Sequence, residues 1–339
     1  MRFRRVNNIK KYTLSYIPVY MIKYLSSILT STNTNNTILK YLIVLAIGHA
    51  VYVNYMSNDK IYTQREGFYQ KQQFVLKRND EIYDEFYAEV YDNLHDTKKR
   101  SQWELMKLLK YTGLDTRNSV ILDIGSGTGY SLNELTAAGY KAYGIDKSKV
   151  MTTHAETMYP NIEVLCENAE DPMAFEKDAF THVLCTNFTI YQMKNKELFF
   201  RNCYNWMKPN GYLVVHLVDR NRFNLTAPKF GDEIEWKSFY DTPKQRVTKI
   251  TTEYDDFKYT AGYNFPVNLE ETNVVTKMET FKDKETAHIR QNEEVLYMED
   301  LQHILKIASA CGFIVHAKAD MKKCNGDENQ YLYILERQM

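Results

Sequence analysis

Three observations predict a doubly wound α/β fold with a mostly parallel sheet. A strand, loop, helix rhythm runs unbroken through residues 119–218. Its first strand, inside the segment VILDIGSGTGY at 120–130, ends in a glycine-dense turn that leads straight into a helix containing Leu132 and Leu135. The chain then closes with a helical stretch over residues 298–313, stopped by Gly312, and two β-rich segments at 314–318 and 331–335.

The elements before the core follow from periodicity. Tyr83, Phe86, Tyr87, Val90 and Tyr91 recur at three- and four-residue steps, and Trp103, Met106 and Leu109 repeat the pattern before Gly113, which predicts two helices over residues 79–113. After the fifth core strand, residues 219–295 alternate polar and apolar positions. The runs 247–254, 257–265, 274–281 and 285–291, with turns at Asp255-Asp256 and Asp283-Lys284, predict a β-rich insertion of two hairpins.

The N-terminus has a different composition. Residues 1–58 carry seven basic side chains and no acidic one, although the chain as a whole balances 43 basic against 43 acidic residues, so the remainder is acidic. Residues 38–56 are apolar apart from Lys40, His49 and Asn54, near the roughly 20 residues that span a bilayer, and they predict a membrane helix. The largely apolar stretch at 12–29, interrupted by Pro18 and Lys23, reads as a second, weaker membrane segment, an interfacial helix or part of a mitochondrial presequence. The organisation is therefore a basic arm and anchor at 1–58, a helical cap at 59–118 and a core at 119–339 with its insertion at 219–295.

Composition also excludes some chemistry. The five cysteines are odd in number and widely spaced, with no C-x-x-C pair and no histidine at ligand spacing, so neither a disulfide framework nor a metal site is predicted. An acidic body lacks the basic face of a nucleic-acid partner, and none is expected.

The glycine turn carries the chemistry. Glycine lets the backbone turn sharply and approach a ligand, and the N-terminus of the following helix offers free N–H groups to an anion. A nicotinamide or flavin site would use G-x-G-x-x-G, but Tyr130 stands where its last glycine belongs. The spacing is instead D-x-G-x-G-x-G, from Asp123 through Gly125 and Gly127 to Gly129, with Ser126 and Thr128 between. Asp146 ends the next strand, 17 residues past Gly129, where an acid accepts from both ribose hydroxyls; Ser148 is positioned to cap the helix that follows.

Together with NIEVLCENAED at 161–171, the fourth strand ending at Thr186 and the turn Lys208-Pro209-Asn210-Gly211, this series resembles the class I, Rossmann-like, S-adenosylmethionine-dependent methyltransferases, and within them the small-molecule branch. The resemblance covers about residues 83–219 and 295–336. It implies a seven-stranded sheet ending in an antiparallel hairpin, and S-adenosyl-L-methionine as cofactor. The glycine loop and Asp123 would hold its methionine moiety, Asp146 its ribose, and Asn168, Ala169 and Glu170 its adenine, with Lys147 and Thr186 counted among the cofactor-binding residues. Asn168 replaces the family's usual acid, but its carbonyl oxygen accepts the same hydrogen bond. Asn210 replaces a turn glycine and tolerates the same left-handed backbone. The family often lays an aromatic over the cofactor, a position open to Tyr91, with Tyr83 and Tyr87 on the same helical face.

The expected reaction is methyl transfer to N or O of a small metabolite, with a protein methyltransferase or a non-catalytic membrane-tethered cofactor-binding module as alternatives. His216 and Tyr191 are the candidate general bases for a hydroxyl acceptor. The insertion is expected to wall the acceptor, its turn residues Glu233, Glu235, Tyr240, Tyr254, Asp255, Asp256, Tyr259 and Tyr263 suiting a cationic group. A catalytic body that uses S-adenosylmethionine should face the cytosol, or else a mitochondrial matrix.

Overall fold

In the computed structural model, residues 49, 70, 72–225, 249–266 and 273–339 are described. The chain divides after Arg65, and the architecture below belongs to the second unit. Apart from His49, the expected membrane segment at 38–56 lies outside the described residues, as does the stretch at 12–29. Among the described residues no helix is long and apolar enough to cross a membrane.

A short strand β1 (Phe74–Arg78) and a 3-10 turn (Asn79–Ile82) precede α1 (Glu85–Leu94) and α2 (Thr97–Thr112). Asp84 caps α1 by accepting the Tyr87 N–H at 3.2 Å, and Gly113 ends α2 with φ +62°. The core then alternates β2 (Val120–Ile124), α3 (Tyr130–Ala137), β3 (Lys141–Asp146), α4 (Lys149–Met158), β4 (Glu163–Cys166), β5 (Phe180–Cys185), α5 (Thr189–Gln192), α6 (Lys196–Trp206) and β6 (Met207–Val218). Strands β7 (Lys249–Glu253), β8 (Phe257–Asn264), β9 (Val274–Asp283) and β10 (Ile289–Tyr297) form the insertion. The chain ends with α7 (Leu301–Ala310), β11 (Phe313–Asp320), α8 (Lys322–Asn325) and β12 (Gln330–Arg337).

Seven strands form one sheet in the order β11-β12-β6-β5-β2-β3-β4. Pairings from β4 to β6 are parallel, while β12 runs antiparallel to both β6 and β11, as the resemblance implied. Residues 121–124 of β2 are buried, the pattern of a strand covered on both faces. Because β3 lies on one side of β2 and β5 on the other, the chain reverses direction there, which opens a crevice at the carboxyl ends of the strands. Asn210 takes φ +61°, the left-handed conformation expected of it.

The insertion builds a second sheet, β1-β10-β9-β8-β7. Two of its features depart from the sequence reading. The fourth insertion strand starts at Ile289 rather than 285, because the Asp283 carboxylate accepts the N–H groups of Glu285 and Thr286 and holds the chain in a turn. Strand β1 was not anticipated; FVLKR pairs in parallel with β10 from a position over 200 residues away in sequence. Helix α1 packs Tyr87, Val90 and Leu94 against Tyr254, Phe257 and Phe281 of this sheet. Each such ring contributes about 1.5–3 kcal/mol through burial. That packing brings the second sheet over the carboxyl-end crevice of the first.

Candidate active site

The glycine loop sits at the mouth of the crevice. At Gly125, φ is +69° and an added Cβ would lie 2.5 Å from the Thr189 side chain, so no other residue fits there without displacing α5. The Gly127 N–H donates to Asp146 Oδ2 at 2.9 Å, and the Ser148 N–H donates to Oδ1 at 2.8 Å. Asp146 thus ties the loop to the end of β3. Ser148, not Asp146, caps α4, its Oγ accepting the Met151 N–H at 3.3 Å. Burial raises the Asp146 pKa, and the two N–H donors and Lys147 oppose the rise.

Around this loop lies a cleft of about 560 Å³, bordered by Gly125, Gly127, Asp146, Lys147, Asn168, Ala169, Glu170 and Tyr91 among the residues singled out from sequence. Lys147 forms a 2.6 Å ion pair with Asp80 at the rim. Asn168 Oδ1 accepts the Glu170 N–H at 3.0 Å, which shapes the adenine-side turn and leaves the oxygen a second lone pair. A Cβ on Gly127 would sit in ordinary contact 3.6 Å from the Met151 side chain, so the residue is fixed by its φ of +53° and not by crowding.

Other predicted residues stand behind the cleft instead of on it. Ser126 is buried, with its Oγ close to Gly144. Thr128 Oγ1 donates to Asp92 Oδ1 at 2.6 Å, linking the loop to α1. Gly129 is needed for packing, since a Cβ there would come within 2.9 Å of Ala155. Thr186 is not on the cleft wall; its side chain helps hold the Glu104 carboxyl. Asp123 is also buried, and burial together with the Glu104 charge pushes its carboxyl up to about 7.

A second, smaller chamber of about 150 Å³ lies between the core and the insertion sheet. Tyr83, Tyr91, Asn187 and Gln192 border both cavities and form the partition between them. The partition is tightly bonded: Asn187 Nδ2 donates to the Tyr91 hydroxyl at 2.7 Å, and Gln192 Nε2 donates to the Tyr83 hydroxyl at 2.6 Å. Both Tyr83 and Gln192 also donate to Glu294 Oε1, at 2.7 and 2.9 Å. Glu294 is buried, and desolvation raises its pKa although Lys277 lies 3.9 Å away. Lys277 stands 3.0 Å from Glu279, which also accepts from the Tyr87 and Tyr259 hydroxyls and is held down at about 2 against its burial.

The two base candidates fall differently. Tyr191 is fully buried outside both cavities, where its hydroxyl accepts the Val218 N–H at 2.8 Å, so it is a core residue. His216 does border the chamber, but burial and the Arg100 charge push its imidazole down to about 3, so it holds no proton of a reacting group at neutral pH. Of the insertion residues expected to wall the acceptor, Tyr263 lines the chamber, and Tyr259 does so while bonded to Glu279. Tyr254 belongs to the sheet's own core, Asp255 and Asp256 are exposed at the turn, and Glu233, Glu235 and Tyr240 lie outside the described residues. Sequence reasoning missed Glu294, Gln192, Asn187 and Lys277. No motif marks them.

A glycine loop at the switch point of this seven-stranded sheet, with an acid closing the next strand, is the arrangement that the resemblance to class I S-adenosylmethionine-dependent methyltransferases implied. Residues 122–215 match the family model described as a methyltransferase domain. The chain is 25% identical over 145 residues to a malonyl-[acyl-carrier protein] O-methyltransferase of Bacillus cereus, a match covering 42% of this chain and 54% of that protein. It is likewise 25% identical over 154 residues to a tRNA U34 carboxymethyltransferase of Ruthia magnifica, covering 42% of this chain and 46% of the relative. The chain thus spans about half the length of these curated relatives. The CcbJ methyltransferase of Streptomyces caelestis shares the fold, with a TM-score of 0.59 at 14% identity over 77% of this chain and all of that one.

Proposed function

We propose that this chain transfers a methyl group to a nitrogen or oxygen of a small metabolite held in the inner chamber. The observation that carries this reading is the shared partition: the cofactor cleft and the chamber meet at Tyr83, Tyr91, Asn187 and Gln192. Bound S-adenosylmethionine supplies an electrophilic methyl. The cleft residues fit it, with the Gly125–Gly127 backbone for its methionine end, Asp146 for the ribose and the Asn168 turn for the adenine. The chain's own contribution is to orient the acceptor, to exclude water from a chamber lined by tyrosines, and to receive a proton.

Glu294 is the group placed for that last task. Desolvation raises its affinity for a proton, and the Tyr83 and Gln192 donors fix its carboxylate beside the partition. The chamber's size favours a small molecule over a peptide or a nucleic acid, although one relative's name refers to a tRNA.

Formation of S-adenosylhomocysteine should be followed while full-length protein is presented with pools of small amines and hydroxy compounds. With an acceptor found, kcat should rise with pH through the Glu294 ionisation, since only the carboxylate takes the proton. Glu294→Gln should lower kcat by about 10²-fold or more and flatten that rise. An unchanged kcat and profile in this variant would remove Glu294 as the base.

The reading includes a membrane anchor at residues 38–56 with the catalytic body on the cytosolic side. It is supported by the length of that apolar run and by the supply of the cofactor inside cells.

A further inference from the structure

Two side chains that border the inner chamber, Arg100 and His216, have nitrogens buried without a hydrogen bond of sound geometry. Arg100, on α2, has Nε and Nη1 buried without a hydrogen bond, and its guanidinium meets no carboxylate among the described residues. Glu104, one turn further along α2, and Asp123 share its field without pairing with it. Other buried cations of the protein are handled differently: Lys196 meets Glu299 at 2.6 Å, Lys277 meets Glu279 at 3.0 Å, Arg290 meets Asp84 at 2.8 Å, and Arg337 meets Asp178. The contrast singles out Arg100, because a desolvated cation is ordinarily matched by an anion.

His216, on β6, is the second group. Its Nδ1 accepts the Phe188 N–H at 3.3 Å, which places the ring proton on Nε2. That Nε2 is buried, on a residue only 2% exposed, and no hydrogen bond of sound geometry reaches it, although the Gln330 side chain lies near enough to raise its proton affinity. The amide of Gln330, which also lines the chamber, is committed elsewhere: its Nε2 donates to the Asn224 carbonyl at 2.8 Å and to Asp327 at 3.1 Å, and its Oε1 accepts from Asn325 at 3.0 Å. The chamber therefore holds a guanidinium fork with two unbonded nitrogens and a ring N–H whose only candidate partner is the Gln330 amide oxygen, already engaged by Asn325.

We propose that Arg100 and the Nε2–H of His216 form a subsite for a carboxylate carried by the methyl acceptor. The inference rests on the reading of this chamber as the acceptor site and narrows its occupant to a small amino or hydroxy acid. The carboxylate is received at the Arg100 end, and the nucleophilic atom lies toward Glu294 and the Tyr83–Gln192 partition. A planar guanidinium matches a carboxylate by two parallel N–H donors, and a neutral imidazole donor adds a third without bringing further charge. The acidic end and the basic end of one chamber are then complementary to the two ends of one small molecule.

The test uses full-length protein saturated with S-adenosylhomocysteine and titrated calorimetrically with sodium benzoate, benzamide and phenyl phosphate. These probes share a ring that a chamber of this size accepts and differ in the polar head. Benzoate should bind saturably, and at least tenfold more tightly than benzamide or phenyl phosphate. Arg100→Gln should weaken benzoate at least tenfold while S-adenosylhomocysteine affinity stays within about twofold, and Arg100→Lys should restore only part of the loss, because a point charge lacks the fork. Equal binding of benzoate and benzamide would overturn the proposal without recourse to any variant. So would Arg100→Gln that keeps benzoate affinity, or phenyl phosphate bound where benzoate is refused. Failure of the unmodified protein to bind S-adenosylhomocysteine would count against the methyltransferase reading itself, which is a separate result.

Discussion

Asp146 accepts N–H groups from Gly127 and Ser148, so it both faces the cleft and braces the loop beside it. Asp146→Ala should weaken S-adenosylhomocysteine binding about 10- to 100-fold in calorimetry, the scale of one to three kcal/mol for hydrogen bonds to a charged group. The folded fraction at room temperature should be unchanged, because Ser148 still caps α4. Asp123 gives a prediction of opposite kind. Its folded pKa of about 7 lies above the ordinary 3.8, so the fold prefers the protonated acid. The resulting stabilisation is complete below the unfolded value and is lost as pH rises through the folded one. Between pH 6 and 8 the loss is about 1.4 kcal/mol, and Asp123→Asn should remove that slope from a series of denaturant titrations. A slope equal to that of the unmodified protein would show that Asp123 is already ionised in the fold. At this scale the motif made the candidates legible but not their facing. Spacing marks Gly125, Gly127 and Gly129 alike, yet two border the cleft and the third packs on Ala155, a distinction set by how α4 crosses the loop.

Among the elements, the insertion sheet depends on an ion cluster at its inner face. Lys277 on β9 lies between Glu279 on the same strand and Glu294 on β10, and Glu279 also accepts from Tyr87 of α1. Lys277→Met would leave that carboxylate buried without its cation, and should cost about 3–5 kcal/mol at neutral pH in chemical denaturation. A loss under about 1 kcal/mol would mean that the tyrosine hydroxyls alone satisfy Glu279. The hairpins themselves were readable from turn residues and alternation. Strand β1 was not, since five residues carry too little pattern to reveal a partner supplied by β10. The misplaced start of β10 has a local cause: residues 285–288 read on from the strand, but Asp283 captures the backbone donors of Glu285 and Thr286 first.

Over the whole molecule, the order of elements from β2 to β6 and the closing antiparallel pair were legible in the sequence, because buried parallel strands and their glycine turns are local signals. The chamber was not, since its wall is assembled from α1, α2, the β5–α5 segment and the insertion, whose proximity arises only on folding. The anchor proposal is tested at this scale. Protein starting at Asp59 should be soluble and bind S-adenosylhomocysteine as the full chain does, whereas the full chain should resist extraction from membranes by salt and carbonate. Release of the full chain by mild salt would sink the spanning assignment.

The partition of Tyr83, Tyr91, Asn187 and Gln192 belongs to two cavities at once, and its hydrogen bonds allow neither face to move alone. Occupancy on one side therefore sets the conformational freedom left on the other, and whatever factor the cofactor imposes on acceptor affinity, the acceptor must return on cofactor affinity. The four side chains are in that sense a heterotropic coupling element as well as a wall. Under the proposed function, spent cofactor presents the same ribose and adenine to that element but no methyl, so product release and admission of the next acceptor are thermodynamically one problem.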